Sequence, residues 1–347
     1  MSATTPSAPA PTKRMTPAEA RLHENIGIRP GWMTVAGKEL ADHVQSVRFY
    51  VLLIVLGVAA LIPLYFAAER IRSLASDVSG SQAAFLALFV IGPEGVNLGP
   101  ISFTVQAFVA IAAPLLGVAF AFDSVNGERH QGTLPRLLSQ PIHRDDVING
   151  KFVAGLAAIT LALVATVLVI AGFGLLRLGI TPALEEVIRL VAWVGVTVLY
   201  VALWLAFGLL LSVVIRRAAT SALVGFGIWL FVAIPLIGPL LIGLLGSFLA
   251  SGARTAADYY STIQWLQRLL PGQVYAEASA ALLNPSVTSV SASEIYGAQY
   301  AQQMPQTILT FDQSFLLILP HIVILTALTV GCFALAYARF MRQEVRA

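Results

Sequence analysis

The sequence predicts an all-α polytopic membrane protein with six transmembrane helices, and three observations carry that prediction. Only 11% of the 347 residues are charged, 57% are hydrophobic and the mean hydropathy is +0.80, whereas a soluble domain carries about a quarter charged residues. Six stretches reach the roughly 20 apolar residues needed to cross a hydrocarbon core of about 30 Å. Lys and Arg are also biased to one set of connecting segments, as insertion into a bilayer requires.

The chain divides into residues 1–30, expected to be a disordered cytoplasmic tail, and a single transmembrane domain over 31–347. Met1–Ala20 is rich in Ser, Thr, Ala and Pro and has no apolar core, so it does not read as a secretory signal peptide. From Trp32, apolar residues recur as Trp32, Ala36, Leu40, Val44 and Val47, with Lys38, Glu39, Asp42, Gln45 and Arg48 on the other sides. That spacing predicts an amphipathic helix lying along the inner membrane surface and leading into the first span.

The spans are expected near 47–68, 101–122, 152–176, 190–215, 218–250 and 315–338. Ala83–Ile91 is apolar but too short to cross, and it is fenced by Gly92, Pro93, Gly99 and Pro100. It should lie at the interface or dip in and return. The fifth span exceeds a straight crossing and contains Pro235 and Pro239, which predict a kink or a re-entrant hairpin. Between the fifth and sixth spans, Ser251–Ser314 is too long for a simple loop. Ile263, Leu266, Leu269 and Leu270 form a stripe beside Trp265 before Pro271-Gly272, so one or two outer helices are expected on the membrane surface.

With the N-terminus inside, fifteen of the 21 basic residues and all three lysines (Lys13, Lys38, Lys151) fall on inside segments. Both termini are therefore expected in the cytoplasm, in a cell-membrane protein. This bias accounts for the net charge of +3 and the pI near 9.1 without nucleic-acid binding. The single cysteine, Cys332, excludes disulfides within the chain. The histidines show no HExxH or Cys-partnered spacing, so no metal site is expected. His321 lies about two turns into the last predicted span. An intramembrane ionisable residue is a functional candidate; the plainer alternative is a neutral histidine hydrogen-bonded to a neighbour.

One polar passage interrupts the first half of the chain, Gly127–Lys151, reading GERHQGTLPRLLSQPIHRDDVINGK. Asp123, Glu128 and Arg129 emerge from the second span. Gly132-Thr133 offers a turn with a hydroxyl suited to cap a new helix, and Pro135 fits that helix's first turn. Pro141 ends it. Leu134, Leu137 and Leu138 then share one face of a short helix, an apolar ridge suited to docking another protein. Asp145 and Asp146 fall in the first turn of the third span, and Lys151 is placed to snorkel.

The passage resembles the signature of permease subunits of type-2 ABC exporters, G-E-R-x-x-G-T-L-x-x-L-L-x-x-P-x-x-R followed by G-K. Gly127, Glu128, Arg129, Gly132, Thr133, Leu134, Leu137, Leu138, Pro141, Arg144, Gly150 and Lys151 match it. Pro135 departs from it, since that slot is more often an ordinary helix former. The sequence is similar to the subgroup that contains the permease of the nitrous-oxide-reductase maturation system. The resemblance implies six spans, a connecting helix before the first, a coupling helix between the second and third, and outer helices between the fifth and sixth. It further implies a dimer with a second permease copy, and a cytoplasmic ABC ATPase docked on the insert. Glu128 and Arg129 would then fix that docking by paired charges. No G-x-x-x-x-G-K-[ST] phosphate loop occurs in the sequence. ATP and Mg are therefore expected on the partner ATPase, and no cofactor on this chain. The expectation is an exporter permease for an amphipathic or other small substrate; a membrane-embedded enzyme or assembly scaffold is the alternative.

Overall fold

The computed structural model describes residues 30–73, 84–93, 103–133, 142–233, 237–287 and 308–343. The expected tail and the leucine ridge of the insert, with Leu134, Leu137, Leu138 and Pro141, lie outside these residues. Among the described residues, every regular element is helical. In chain order the helices are α1 (Gly31–Gln45), α2 (Val47–Ser73), α3 (Ala87–Val90), α4 (Val105–Ala121), α5 (Asn126–His130) and α6 (Arg144–Leu178). There follow α7 (Leu184–Val214), α8 (Ala218–Ala233), α9 (Gly238–Leu249), α10 (Ala256–Gln267), α11 (Pro271–Leu283) and α12 (Phe311–Met341).

Five of the described helices are long and apolar enough to cross a membrane: α2, α4 with its continuation to His130, α6, α7 and α12. They correspond to the first, second, third, fourth and sixth expected spans. The expected fifth span is not one helix. It is split into α8, of 16 residues, and α9, of 12, because Pro239 can enter only the first turn of a new helix. The division follows from the prolines that predicted a kink.

α7 is the centre of the bundle and packs on α4, α6, α11 and α12. Where it crosses α4, Gly117 permits backbone contact: a Cβ there would sit 2.8 Å from the Leu205 nitrogen and from the Trp204 Cβ. Small residues at helix crossings let packing replace a hydrophobic driving force that lipid does not supply. Helix ends follow the expected chemistry. Thr104 caps α4 by accepting from the Ala107 N–H at 3.1 Å, and Thr255 caps α10 through Asp258 in the same way.

The insert-bearing segments lie at one end of the bundle, here called the insert end, and α3, α9, α10 and α11 stand at the distal end. The described part of the short apolar run, residues 84–91, is not a span. It forms α3, with Phe85, Leu86, Leu88 and Phe89 buried, and the Phe85 N–H donates to the Glu186 carboxylate of α7 at 2.9 Å. Of the two described α-helices between the fifth and sixth expected spans, α11 does not lie on a surface. Val274, Tyr275, Ala278, Ala281 and Leu282 are fully enclosed, and α11 packs between α7, α12 and α4. Tyr275 stacks on Tyr200 at 4.4 Å and shares a 2.9 Å hydroxyl bond with Thr197. Pro271 does not merely stop the preceding stripe; it stands at the start of α11.

Candidate functional site

At the insert end, the amphipathic helix is a structural partner of the third spanning helix. α1 packs along the start of α6, and Gly150 sets the approach, since a Cβ there would lie 2.6 Å from the Val35 Cβ. The Trp32 N–H donates to Asp146 Oδ1 at 3.0 Å, and Asp146 Oδ2 accepts from the His143 N–H at 3.2 Å. Asp146 thus caps α6 and anchors α1 together. Trp32, Leu40 and Val44 are half-buried, while Val47 is exposed. The inner face is centred instead on Val35, Ala36 and Glu39, so the position of Glu39 among the outward polar residues is corrected.

Glu39 is turned inward to meet Lys151. The Lys151 side chain is only 3% exposed, and its Nζ stands 2.7 Å from Glu128 Oε1 and 3.2 Å from Glu39 Oε1. Lys151 therefore does not snorkel. Leaving water costs an ammonium several kcal/mol unless carboxylates compensate it, and here two do. Glu128, expected to pair outward with an ATPase, makes its described ion pair within the chain. His43 of α1 lies edge-on to Phe120 at 5.2 Å. Burial holds its imidazole below the ordinary histidine pKa, against the opposing field of the Glu39 carboxylate and with the Lys151 charge acting in the same direction as burial.

Arg129 and Arg144 converge on one residue. The Arg129 guanidinium donates to Gln343 Oε1, and Arg144 donates to the Gln343 carbonyl at 3.0 Å. Gln343 Nε2 in turn donates to the Val213 carbonyl at the end of α7, at 2.8 Å. The start of the insert is also clasped. Ser212 Oγ accepts from the N–H groups of Val125 and Asn126, and the Asn126 amide donates to Ile215 O at 3.1 Å. Arg48 of α2 grips Asp123 with two bonds, of 2.9 and 2.7 Å, the bidentate arrangement that makes such pairs strong.

Gly132 has φ of 69°, the left-handed turn that favours glycine. The Thr133 hydroxyl, expected to cap a following helix, donates back to the Glu128 carbonyl at 3.2 Å and closes α5.

At the distal end, His321 of α12 is 5% exposed and donates through Nε2 to Glu277 Oε2 at 2.9 Å. Arg268 Nε reaches the same oxygen at 2.8 Å, and Gln273 and Gln264 donate to Oε1 at 3.0 and 3.3 Å. Burial alone would raise the Glu277 carboxyl, but the bonds from His321, Gln273 and Arg268 outweigh it and hold the pKa below the ordinary value. Glu277 lay outside the sequence expectation; an acidic residue inside the apolar run Pro271–Leu283 was the available signal. The same holds for Gln343, which carries no motif. Among the described residues, no group of three or more His, Cys, Asp or Glu is arranged to hold a metal ion.

These features define a multi-pass helical membrane protein whose second and third spanning helices are joined by a charged insert braced against the surrounding helices. The chain belongs to the ABC-2 family of transporter proteins, whose model it matches over residues 33–345. It is 28% identical over 182 residues to the probable ABC transporter permease protein NosY of Stutzerimonas stutzeri, covering 50% of this chain and 61% of that protein. To the NosY of Pseudomonas aeruginosa it is 29% identical over 137 residues, covering 37% of this chain and 48% of that protein. The chain thus spans about half the length of the curated relatives it matches.

Proposed function

We propose that the chain is the membrane-spanning permease subunit of an ABC exporter for an amphipathic or other small substrate. In this reading it works as a dimer, with the insert end and both termini in the cytoplasm, and α8 and α9 together make the fifth of six crossings. A separate ATPase, holding ATP and Mg, docks on the ridge of Leu134, Leu137 and Leu138. The observation that carries the reading is the bracing of the insert: Glu128 is tied through Lys151 to α6 and α1, while Arg129 and Arg144 are tied through Gln343 to α12 and α7.

A force passed to the insert by nucleotide-driven closure of the ATPases would be handed on by these braces to four helices, α1, α6, α7 and α12. Family membership and the named relatives support the same assignment. Glu128 and Arg129 act in it as internal struts of the docking site, and the leucines as the contact itself.

The test is co-purification with a co-expressed ABC ATPase. Leu137→Asp combined with Leu138→Asp places charges in an apolar contact, where uncompensated burial costs several kcal/mol. The ATPase should be lost while the permease still inserts and folds. A double variant that retains the ATPase and transports normally would remove the docking role of the insert.

A further inference from the structure

The distal end contains a cavity of about 760 Å³, within the roughly 300–1,000 Å³ of small-molecule sites. Its walls come from the first turns of α4, the end of α8, one face of α9 and the α10–α11 corner. The lining is mainly apolar, with Ile111, Leu240 and Leu244 among its larger side chains, and none of the described lining residues is charged. Three carboxamides, Gln106, Gln267 and Gln273, line the same space.

The orientation of two of these amides follows from what they touch. Gln273 meets the Glu277 carboxylate at 3.0 Å. A carboxylate in this state only accepts, so the amide nitrogen faces Glu277 and the oxygen is left over. Gln106 meets the Ala276 carbonyl at 3.5 Å, with the same consequence. Neither oxygen has a donor among the described residues. Thr104 also lines the cavity; its oxygen is engaged in capping α4, and its O–H remains to donate.

The Glu277 charge does not reach the cavity unscreened, because His321, Arg268, Gln273 and Gln264 all donate to it. A ligand here must therefore bring hydrogen-bond donors and no net charge, on an apolar body. An anion would meet two acceptor oxygens, and a cation would find no counter-charge in the walls. Leu240 and Leu244 are 54% and 58% exposed on α9, so one rim is continuous with apolar surface, which in a multi-pass protein faces lipid. We propose that this cavity binds an uncharged, hydroxyl-bearing amphipathic molecule admitted from the bilayer. The assignment goes beyond the permease reading, since it concerns occupancy and not transport.

The test uses the full chain in phosphatidylcholine nanodiscs and a monoacylglycerol carrying a photoreactive diazirine in its acyl chain. After irradiation, adducts are mapped by mass spectrometry. They should concentrate on residues 104–111 and 239–247, and unlabelled monoacylglycerol should compete for them. A diazirine fatty acid of the same chain length, ionised, should give no labelling there that monoacylglycerol displaces.

Gly243→Phe and, separately, Leu240→Trp fill the space and should each lower the competable yield about tenfold. Leu240 is more than half exposed, so its replacement leaves the fold intact even if the glycine variant does not fold. Adducts spread over lipid-facing positions such as Ile54, Leu61 and Leu168 in proportion to exposure would overturn the assignment. So would cavity adducts that survive both replacements, or equal labelling by the ionised fatty acid.

Discussion

Glu128 and Lys151, 23 residues apart at the two ends of the insert, are joined by a 2.7 Å ion pair. The pair closes the insert into a loop whose base is also held by Glu39 of α1. Replacing Lys151 by Met would leave two carboxylates facing each other without their cation. Removing one partner of a buried pair costs about 3–5 kcal/mol. The chain in detergent should lose stability on that scale by denaturant unfolding, and Glu39→Gln should lose less. Wild-type stability in the Lys151 variant would show that the pair contributes nothing.

Gly150 and Val35 define the contact between α1 and α6. Gly150→Leu should push α1 away from its seat, at an overpacking cost of about 1–3 kcal/mol. Trypsin cleavage at Lys38 measures this directly, and should be faster in the variant. A protease rate equal to wild type would mean that α1 is held elsewhere.

Gln343→Ala should free Arg129 and the end of α7 from the carboxamide that joins them, while Arg144 keeps its bond to the backbone carbonyl of residue 343. Each lost hydrogen bond contributes about 1 kcal/mol net, somewhat more where a charged donor is involved. Hydrogen exchange over residues 126–130 should therefore quicken, while the distal helices α10 and α11 stay protected. Uniform protection in the variant would argue against the clamp.

His43 provides a pH dependence. Burial lowers its pKa in the folded state, so the unfolded chain binds a proton more readily. Stability contributed by the neutral imidazole is present above the ordinary histidine value of about 6.5 and is lost as pH falls below it. Unfolding at pH 7.5 and 5.5 should show a larger acid loss in wild type than in His43→Leu, which keeps the apolar contact with Phe120. Identical losses would exclude His43 as the source.

The proposed topology is tested by accessibility tags at Gly252 and after Ala347. The first should label in intact cells and the second only after permeabilisation. External labelling of the C-terminal tag would reverse the orientation and, with it, the placement of the insert.

Much of this architecture was legible in the sequence because lipid imposes simple rules. Long apolar runs gave five of the described helices, Pro235 and Pro239 announced the break between α8 and α9, and the brackets around Ala83–Ile91 excluded a span. What stayed hidden were pairings across the chain. Glu39 looked outward-facing because a stripe read from Trp32, Ala36 and Leu40 ignores a carboxylate that a distant lysine can satisfy. Lys151 looked like a snorkelling residue because nothing local shows two acids arriving from α1 and α5. Glu277 and Gln343 sit outside the motif, and each is tied to a distant segment, Glu277 to His321 of α12 and Gln343 to Arg129 of α5. The burial of α11 was equally invisible, since an apolar helix of 13 residues reads the same on a membrane surface as inside a bundle.

The clamp on Gln343 also sets an order of assembly. Its three partners, Arg129, Arg144 and Val213, lie 214, 199 and 130 residues earlier in the chain. During synthesis the two arginines are made, and the helices around them inserted, long before the residue that binds both exists. The insert end is thus completed only when the last helix arrives, so a nascent chain without α12 lacks the residue that ties Arg129 to the end of α7. Translation itself leaves this end of the bundle open until the helices behind it are in place.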